Sequence, residues 1–388
     1  MRPSPALQLS LATMAFTLSF AVWGLLSGLA PLLRKEFGLS QTEGALMVAV
    51  PVLLGAVGRL PMGMLAERHG GRAVMTALLL FALLPGAGVA LSGSFAALLA
   101  WAFLLGLAGT SFAVGVAFTS KWFPPERQGA ALGIFGIGTG GQSIVVFLAP
   151  RMATAFGDWR PVVWVFTLLS VAWAAVFWLL ARDARPGKAR SVREILAALT
   201  RSPMAWLLSL FYFVTFGGFV AMGVYLPTLL TGRFGLDLAD AGARAAGYVV
   251  LAVAMRPVGE AAADRVGGAR VLVGAFAVAT VAVAGLVTSD MVSFTAGALV
   301  LAATLGLGNG AVFKLVPQYF AADTGTVTGL VGAFGGLGGF FPPLVLGFLL
   351  DRTGSYALGF AALAVFTLAC AVLAARLAAA PRLSPASA

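Results

Sequence analysis

The stretch GRLPMGMLAERHGGR (residues 58–72) returns later in the chain as MRPVGEAAADRVGGAR (255–270). Arg59 aligns with Arg256, Arg68 with Arg265, Gly70 with Gly267 and Gly71 with Gly268, each pair 197 residues apart in a chain of 388. The register continues outward. Trp122, Phe123 and Glu126 align with Tyr319, Phe320 and Asp323 at the same offset, and Gly133, Gly136 and Gly140 align with Gly329, Gly332 and Gly336 at 196. Self-similarity at half the chain length means one structural unit used twice, so whatever the first half builds, the second half builds again.

Composition says what that unit is. Of the residues 60% are apolar and 10% charged, against roughly a quarter charged in soluble domains, and the mean hydropathy is +0.98. A soluble fold of this size leaves too much surface wet to hide so much apolar material, and a disordered chain would be polar. A membrane-crossing helix with its turn takes about 30 residues, which divides the chain into about a dozen spans with no room for a soluble domain. Apolar runs recur at 10–33, 43–66, 73–92, 95–120, 130–156, 161–181, 203–230, 240–262, 270–288, 291–319, 326–350 and 355–378. The expectation is an all-α membrane protein of twelve transmembrane helices in two pseudo-symmetric six-helix halves: a bundle over 1–181, a linker over 182–202 and a bundle over 203–388. Parallel repeats of this kind hold their substrate between the halves near the midplane. The opening MRPSPALQLSLATMAF reads as the start of the first span and not as a removed leader. A single cysteine, Cys370, excludes a disulfide framework and a thiolate metal cluster.

Basic residues set the orientation. With both termini in the cytoplasm, fifteen of the 25 Lys and Arg fall inside, seven outside and three within spans. The linker contributes Arg182, Arg185, Lys188, Arg190, Arg193 and Arg201 to the inside set. This bias accounts for the net charge of +11 without any nucleic-acid partner. The chain is therefore expected in the cell inner membrane, multi-pass, with the lipid bilayer as its surroundings.

The three intramembrane cations are Arg59, Arg256 and Lys314. Arg59 and Arg256 each precede a loop arginine by nine residues, which puts them about 13 Å into a core about 30 Å thick. A charge at that depth is costly unless it faces a polar cavity or a partner. Of the 14 acidic residues only Glu260 falls within a span near either arginine, one turn beyond Arg256, and one acid cannot neutralise two arginines. The alternatives are structural pairing or an anionic ligand that supplies the missing charge, and the count favours the ligand. A planar guanidinium offers paired donors that match a planar oxyanion and keeps its charge when desolvated. Lys314 either extends to the nearby interface or lies on the substrate path, Glu260 is a candidate for coupling, and Asn309 is a further polar candidate. His69, the only histidine, reads as a solvated loop residue. The glycine series GIFGIGTGGQS (133–143) and GLVGAFGGLGGFFPP (329–343) serve either close helix packing or the bare walls of a slot for a small ligand, at Gly138, Gly140, Gly335 and Gly336. No paired acids, metal ligands or nucleophile–base set lies within the spans, so neither an enzyme nor a resident metal or cofactor is expected.

AGTSFAVGVAFTSKWFPPERQGAALGIFGIGTGGQS (108–143), GLGNGAVFKLVPQYF (306–320) and GLVGAFGGLGGFFPPLVLG (329–347) resemble the nitrate/nitrite porters of the major facilitator superfamily. The acid-Arg-x-Gly loops at Glu67–Gly70 and Asp264–Gly267 also resemble that superfamily's loop motif. The resemblance implies nitrate and nitrite as substrates, with Arg59 and Arg256 as the binding pair. It further implies an aromatic wall from Phe112, Tyr212 and Phe216, and a contact from Thr139, where the family often carries asparagine. Transport by alternating access, as exchange of nitrate for nitrite by a monomer, is the expected activity. Proton-coupled symport, or carriage of another small organic anion, stands as the alternative.

Overall fold

The computed structural model describes residues 4–184, 202–288, 290–320 and 324–379. Of the expected linker, 185–201 lies outside the described residues. Among the described residues eleven helices are long and apolar enough to cross a bilayer, and a twelfth does so as a bent pair. In chain order they are α1 (Pro5–Phe37), α2 (Gln41–Val57 with Arg59–His69, bent by 42°), α3 (Gly71–Ala90), α4 (Phe95–Ser120), α5 (Ala131–Phe156) and α6 (Arg160–Leu180). The second six are α7 (Pro203–Phe234), α8 (Leu238–Val266), α9 (Gly268–Val287), α10 (Met291–Tyr319), α11 (Val327–Thr353) and α12 (Ala357–Ala379). Helices satisfy their own backbone groups, which is what a lipid-immersed segment requires. Side chains such as Val281, Val292 and Val365 are 74%, 75% and 69% exposed, the inside-out pattern of a surface whose solvent is hydrocarbon. The near face of the molecule is the one that carries Pro5 and the α2–α3 and α8–α9 turns; the far face is opposite.

The repeat is written in the backbone. Six glycines have positive φ, and among the described residues no other residue type does. They form three pairs 197 residues apart: Gly38 and Gly235 (63° and 64°), Gly157 and Gly354 (70° and 68°), Gly70 and Gly267 (90° and 95°). The first four end α1, α7, α5 and α11, where a left-handed residue lets the last carbonyls find donors. The crossings repeat as well. A methyl on Gly109 would stand 3.3 Å from the Gly55 Cα, and one on the equivalent Gly306 would stand 2.2 Å from the carbonyl of Ala252, the equivalent of Gly55. Bare α-carbons therefore fix how deeply α4 sinks against α2 and α10 against α8.

The two halves meet mainly on the far side of the midplane, where α2 packs on α11, α5 on α8 and α1 on α7. A methyl on Gly347 of α11 would stand 2.7 Å from the Ala45 Cβ of α2; one on Gly242 of α8 would stand 2.6 Å from the Val146 carbonyl of α5. On the near side the halves touch chiefly where the Arg59–His69 segment meets α11. The molecule is closed towards the far face and parted towards the near face.

Substituting Ala at Gly157 or Gly354 forces an L side chain into the left-handed region, at a cost of about 1–2 kcal/mol each. Thermal unfolding in detergent should show a lowered midpoint for both. Gly133→Ala, at a helical position with no atom within 4 Å of the new methyl, should leave the midpoint unchanged or raise it.

Candidate functional site

The break in α2 falls at Gly58, immediately before Arg59. A side chain at Gly58 would strike the Leu54 carbonyl and Thr110, each 2.8 Å from the added carbon, so the bend and the close approach of α4 come together at one residue. Arg59 is left only 7% exposed. Its Nη1 donates to the carbonyl of Gly332 on α11 at 2.6 Å. Its guanidinium carbon lies 5.5 Å from the ring centre of Phe112 on α4 and 5.1 Å from that of Phe216 on α7. One charge from the first half is thus held by an aromatic ring from each half and by a backbone dipole from the second. Cation–π contacts strengthen when desolvated, to about 2 kcal/mol or more, and a charged donor strengthens a hydrogen bond. The Nε atom of Arg59 is buried with no partner.

The ring of Phe216 stacks on Tyr212 at 5.0 Å and 11°, and Phe313 meets Tyr212 edge-on at 4.7 Å. The Tyr212 hydroxyl lies beside the Arg256 side chain and feels the charges of Arg59 and Glu260. Arg256 is half-buried on an unbroken α8 and lies within electrostatic reach of Arg59. Among the described residues no ion pair involves Arg59 or Arg256; the pairs found are Arg160 with Glu36 and Asp158, Arg244 with Asp240, and Lys314 with Asp264. Glu260, one turn along α8 from Arg256, sits between Arg256, Lys314 and Asp264. On the far side of Arg59 a cavity with room for about one water molecule is lined by Trp23, Gly55, Gly109, Phe216, Val220 and Gly336, among others.

The geometry brings Arg59, Arg256, Phe112, Tyr212 and Phe216 together, with Gly335 and Gly336 beside them. A methyl on Gly335 would strike the Tyr212 ring at 2.2 Å, and one on Gly336 would meet Ala56 at 2.7 Å and the Arg59 guanidinium at 3.7 Å. Gly140 faces open space. Gly138 is not brought in: the side on which it lacks a methyl packs on α1, 2.4 Å from Phe16 and 3.0 Å from the Thr13 carbonyl. The Thr139 hydroxyl is buried and donates to the Gly136 carbonyl at 2.7 Å. Asn309 is fully buried on α10 with both amide atoms unpartnered, and its neighbours Gly308 and Gly310 press on Thr215 and on the backbone of α8. Lys314 reaches Asp264 in the last turn of α8 at 2.5 Å and is about a third exposed. Sequence reasoning missed Gly332 as a partner of Arg59, although it stood in the quoted glycine series. It also missed Phe16 and Phe135, whose rings back Phe112 at 5.7 and 6.1 Å.

A basic, aromatic-walled midplane site between two repeated six-helix bundles defines a membrane carrier of the two-bundle type. The profile of the Major Facilitator Superfamily matches residues 11–321 and again 234–387. A protein described as a nitrite extrusion protein from Bacillus subtilis is 40% identical over 369 residues, covering 95% of this chain and 93% of that one. A probable nitrate/nitrite antiporter from Thermus thermophilus is 36% identical, covering 91% and 87%. A probable nitrate/nitrite transporter from Mycobacterium tuberculosis is 40% identical, covering 89% of each. The chain belongs to the nitrate/nitrite porter family of the major facilitator superfamily. Among solved structures, a bacterial homologue of the human lysosomal transporter Spinster, in an inward-facing unoccupied conformation, superposes with a TM-score of 0.76 at 18% identity over all of both chains. The human organic anion transporter MFSD10 gives 0.75 at 17%, covering 96% of this chain and all of that one.

Phe216→Leu keeps most of the packed volume and removes the π face, so it should cost about 1–2 kcal/mol of unfolding free energy. In an Arg59→Ala background the same substitution should cost clearly less. Equal costs in the two backgrounds would assign the loss to packing alone.

Proposed function

We propose that this chain exchanges nitrate for nitrite across the cell inner membrane as a monomer, with Arg59 and Arg256 as the two ligands of one small planar anion. The observation that carries the reading is the buried Arg59 guanidinium, held by Phe112 and Phe216 and by a neutral carbonyl, with a second arginine in its field and, among the described residues, no ion pair to either. Phe112, Tyr212 and Phe216 form the aromatic wall, Gly335 and Gly336 let α11 approach the anion, Gly140 faces open space, and Thr139 would reach an anion only by giving up its bond to the Gly136 carbonyl. In this reading residues 1–181 and 203–388 move as two bodies joined by the linker. The near face is cytoplasmic, as the basic residues require.

The cycle follows from charge. Two guanidinium groups brought together at low dielectric repel each other, and an anion between them converts that repulsion into attraction. Occupancy therefore shifts the population towards closure by differential binding, and reorientation with an anion aboard outpaces reorientation without one. That is the kinetic requirement for exchange. In proteoliposomes at clamped pH, external nitrate should enter only when nitrite or nitrate is inside. Uptake into anion-free vesicles driven by a proton gradient would replace exchange with symport, and half-buried Glu260 between Arg256 and Lys314 is the group such a cycle would use. Dicarboxylates should not compete.

Arg59→Lys and Arg256→Lys each keep the charge but lose the paired donors. Each should lower exchange by about 100-fold, corresponding to the loss of one strong charge-assisted contact. Near-parental exchange in either variant would remove the two-arginine site. Lys314→Gln should leave anion binding near parental, because Lys314 is paired with Asp264.

A further inference from the structure

The two far-face seams occupy equivalent places in the repeat, yet they are fastened differently. In the α2–α11 seam the Asp351 carboxylate, in the last turn of α11, crosses to the start of α2. It accepts from the backbone N–H of Gln41 at 3.2 Å, from that of Thr42 at 2.8 Å and from the Thr42 hydroxyl. In the α5–α8 seam the position equivalent to Asp351 is Thr154, whose hydroxyl is turned back onto the Pro150 carbonyl at 3.0 Å. Among the described residues no carboxylate crosses there.

The difference follows from how each helix start disposes of its unpaired amides. The first N–H groups of any helix lack partners within it. At the start of α8, Asp237 serves its own helix, accepting from Ala239 and Asp240 at 2.8 and 2.9 Å. At the start of α2, Ser40 accepts from Glu43 and Glu43 accepts from Ser40, a reciprocal capping box. That arrangement leaves the N–H groups of Gln41 and Thr42 unserved by their own chain neighbourhood. Ala239 is the repeat equivalent of Thr42, so the same amide is capped in cis in one half and in trans in the other. Asp351 and Thr42 also lie at an exposed edge, so water can take over these bonds when the seam parts. The fastening is therefore reversible. Both seams also close on a tight glycine contact, Gly347 with Ala45 in one and Gly242 with Val146 and Pro150 in the other, so the carboxylate is what the α2–α11 seam has in addition.

We infer that Asp351 is a gating residue: by capping α2 from the other half it latches the far-face seam between α2 and α11, and so sets how readily the carrier opens to the far side. This rests on the two halves moving as bodies, but not on which anion they carry. The latch biases the open–closed equilibrium without touching substrate. Losing it favours the far-open state by the worth of a helix cap, about fivefold.

The test is thiol accessibility with no anion present. The reporter is Val52→Cys in a Cys370→Ser background; Val52 is 2% exposed on α2, on the far side of Arg59. A membrane-impermeant maleimide is applied to the far face of sealed right-side-out vesicles. Asp351→Ala should raise the labelling rate about fivefold, and Asp351→Asn, which keeps an acceptor but not the charge, about twofold. Asp237→Ala, which uncaps only its own helix, should leave the rate at the parental value. Parental labelling in Asp351→Ala, or an equal rise in Asp237→Ala, would overturn the latch. Should Asp351→Ala not fold, Thr42→Val and Asp351→Asn carry the test, and parental rates in both would overturn it. Arg59→Lys in the same background separates the two readings: its loss of exchange with unaltered labelling concerns the anion site alone.

Discussion

The structure is organised around a positive charge that no carboxylate among the described residues answers. Arg59 is 7% exposed near the middle of the protein, and burying a guanidinium without compensation is expensive in any apolar medium. What surrounds it is the least neutralising set of partners that can still hold it: two ring faces and one peptide carbonyl. Each requires its neighbours to come close. The carbonyl belongs to Gly332, and α11 reaches it because Gly335 and Gly336 present bare carbon to Tyr212, Ala56 and Arg59. Phe112 is in range because α4 crosses α2 at Gly109 and Gly55. The glycine content of this chain, which composition alone would allow to be read as looseness, is at these places what draws three helices onto one side chain.

The repeat supplies symmetry and the site departs from it. α2 breaks at Gly58 while α8 runs unbroken through Arg256, so equivalent arginines project from unlike backbones. Arg59 is pinned and Arg256 is half-buried beside Tyr212. Glu260 has no counterpart in the first half, where the equivalent position is Gly63. Lys314 with Asp264 braces the near end of α8. The α2–α3 turn is braced otherwise, by Asp183 accepting from the Arg72 amide at 2.9 Å while the Arg72 side chain bonds the Trp178 carbonyl at 2.9 Å. Two copies of a fold that share one site and open to two different compartments have reason to diverge at these points, and these are the charged ones.

Most of the architecture was legible in the sequence because the membrane imposes simple rules. Span number followed from apolar length, and the two halves followed from the 197-residue register, which reappears in the paired φ angles of Gly38 and Gly235, Gly157 and Gly354, and Gly70 and Gly267. The arginine pair was legible because intramembrane charge is rare. What could not be read was anything that depends on direction around a helix or on the backbone as a partner. Gly138 sits in the same glycine run as Gly140, yet its bare side faces α1 and that of Gly140 faces open space. Gly332 serves through its carbonyl, which every residue type possesses. Phe16 and Phe135 were hidden among 29 phenylalanines. Asp351 lies just past the 326–350 apolar run, and nothing in sequence places it against the start of α2.

A neutral carbonyl as the direct partner of Arg59 also bears on selectivity. A carboxylate at 2.6 Å would have cancelled the charge and obliged any anion to displace it, at a cost near the full strength of a buried ion pair. A peptide dipole orients the guanidinium and removes part of the burial penalty while leaving its net charge in place. The aromatic faces act likewise, because their attraction is to the ring quadrupole and carries no net charge. The field that remains is that of a whole positive charge, joined by that of Arg256, in a space walled by Phe112, Phe216 and Tyr212. In the proposed function such a space takes a thin oxyanion edge-on to its donors and gives little to a bulky one. On that same proposal, discrimination by size comes from the aromatic walls and the glycine approach of α11, and discrimination by charge from the two arginines, so that the two properties reside on different residues.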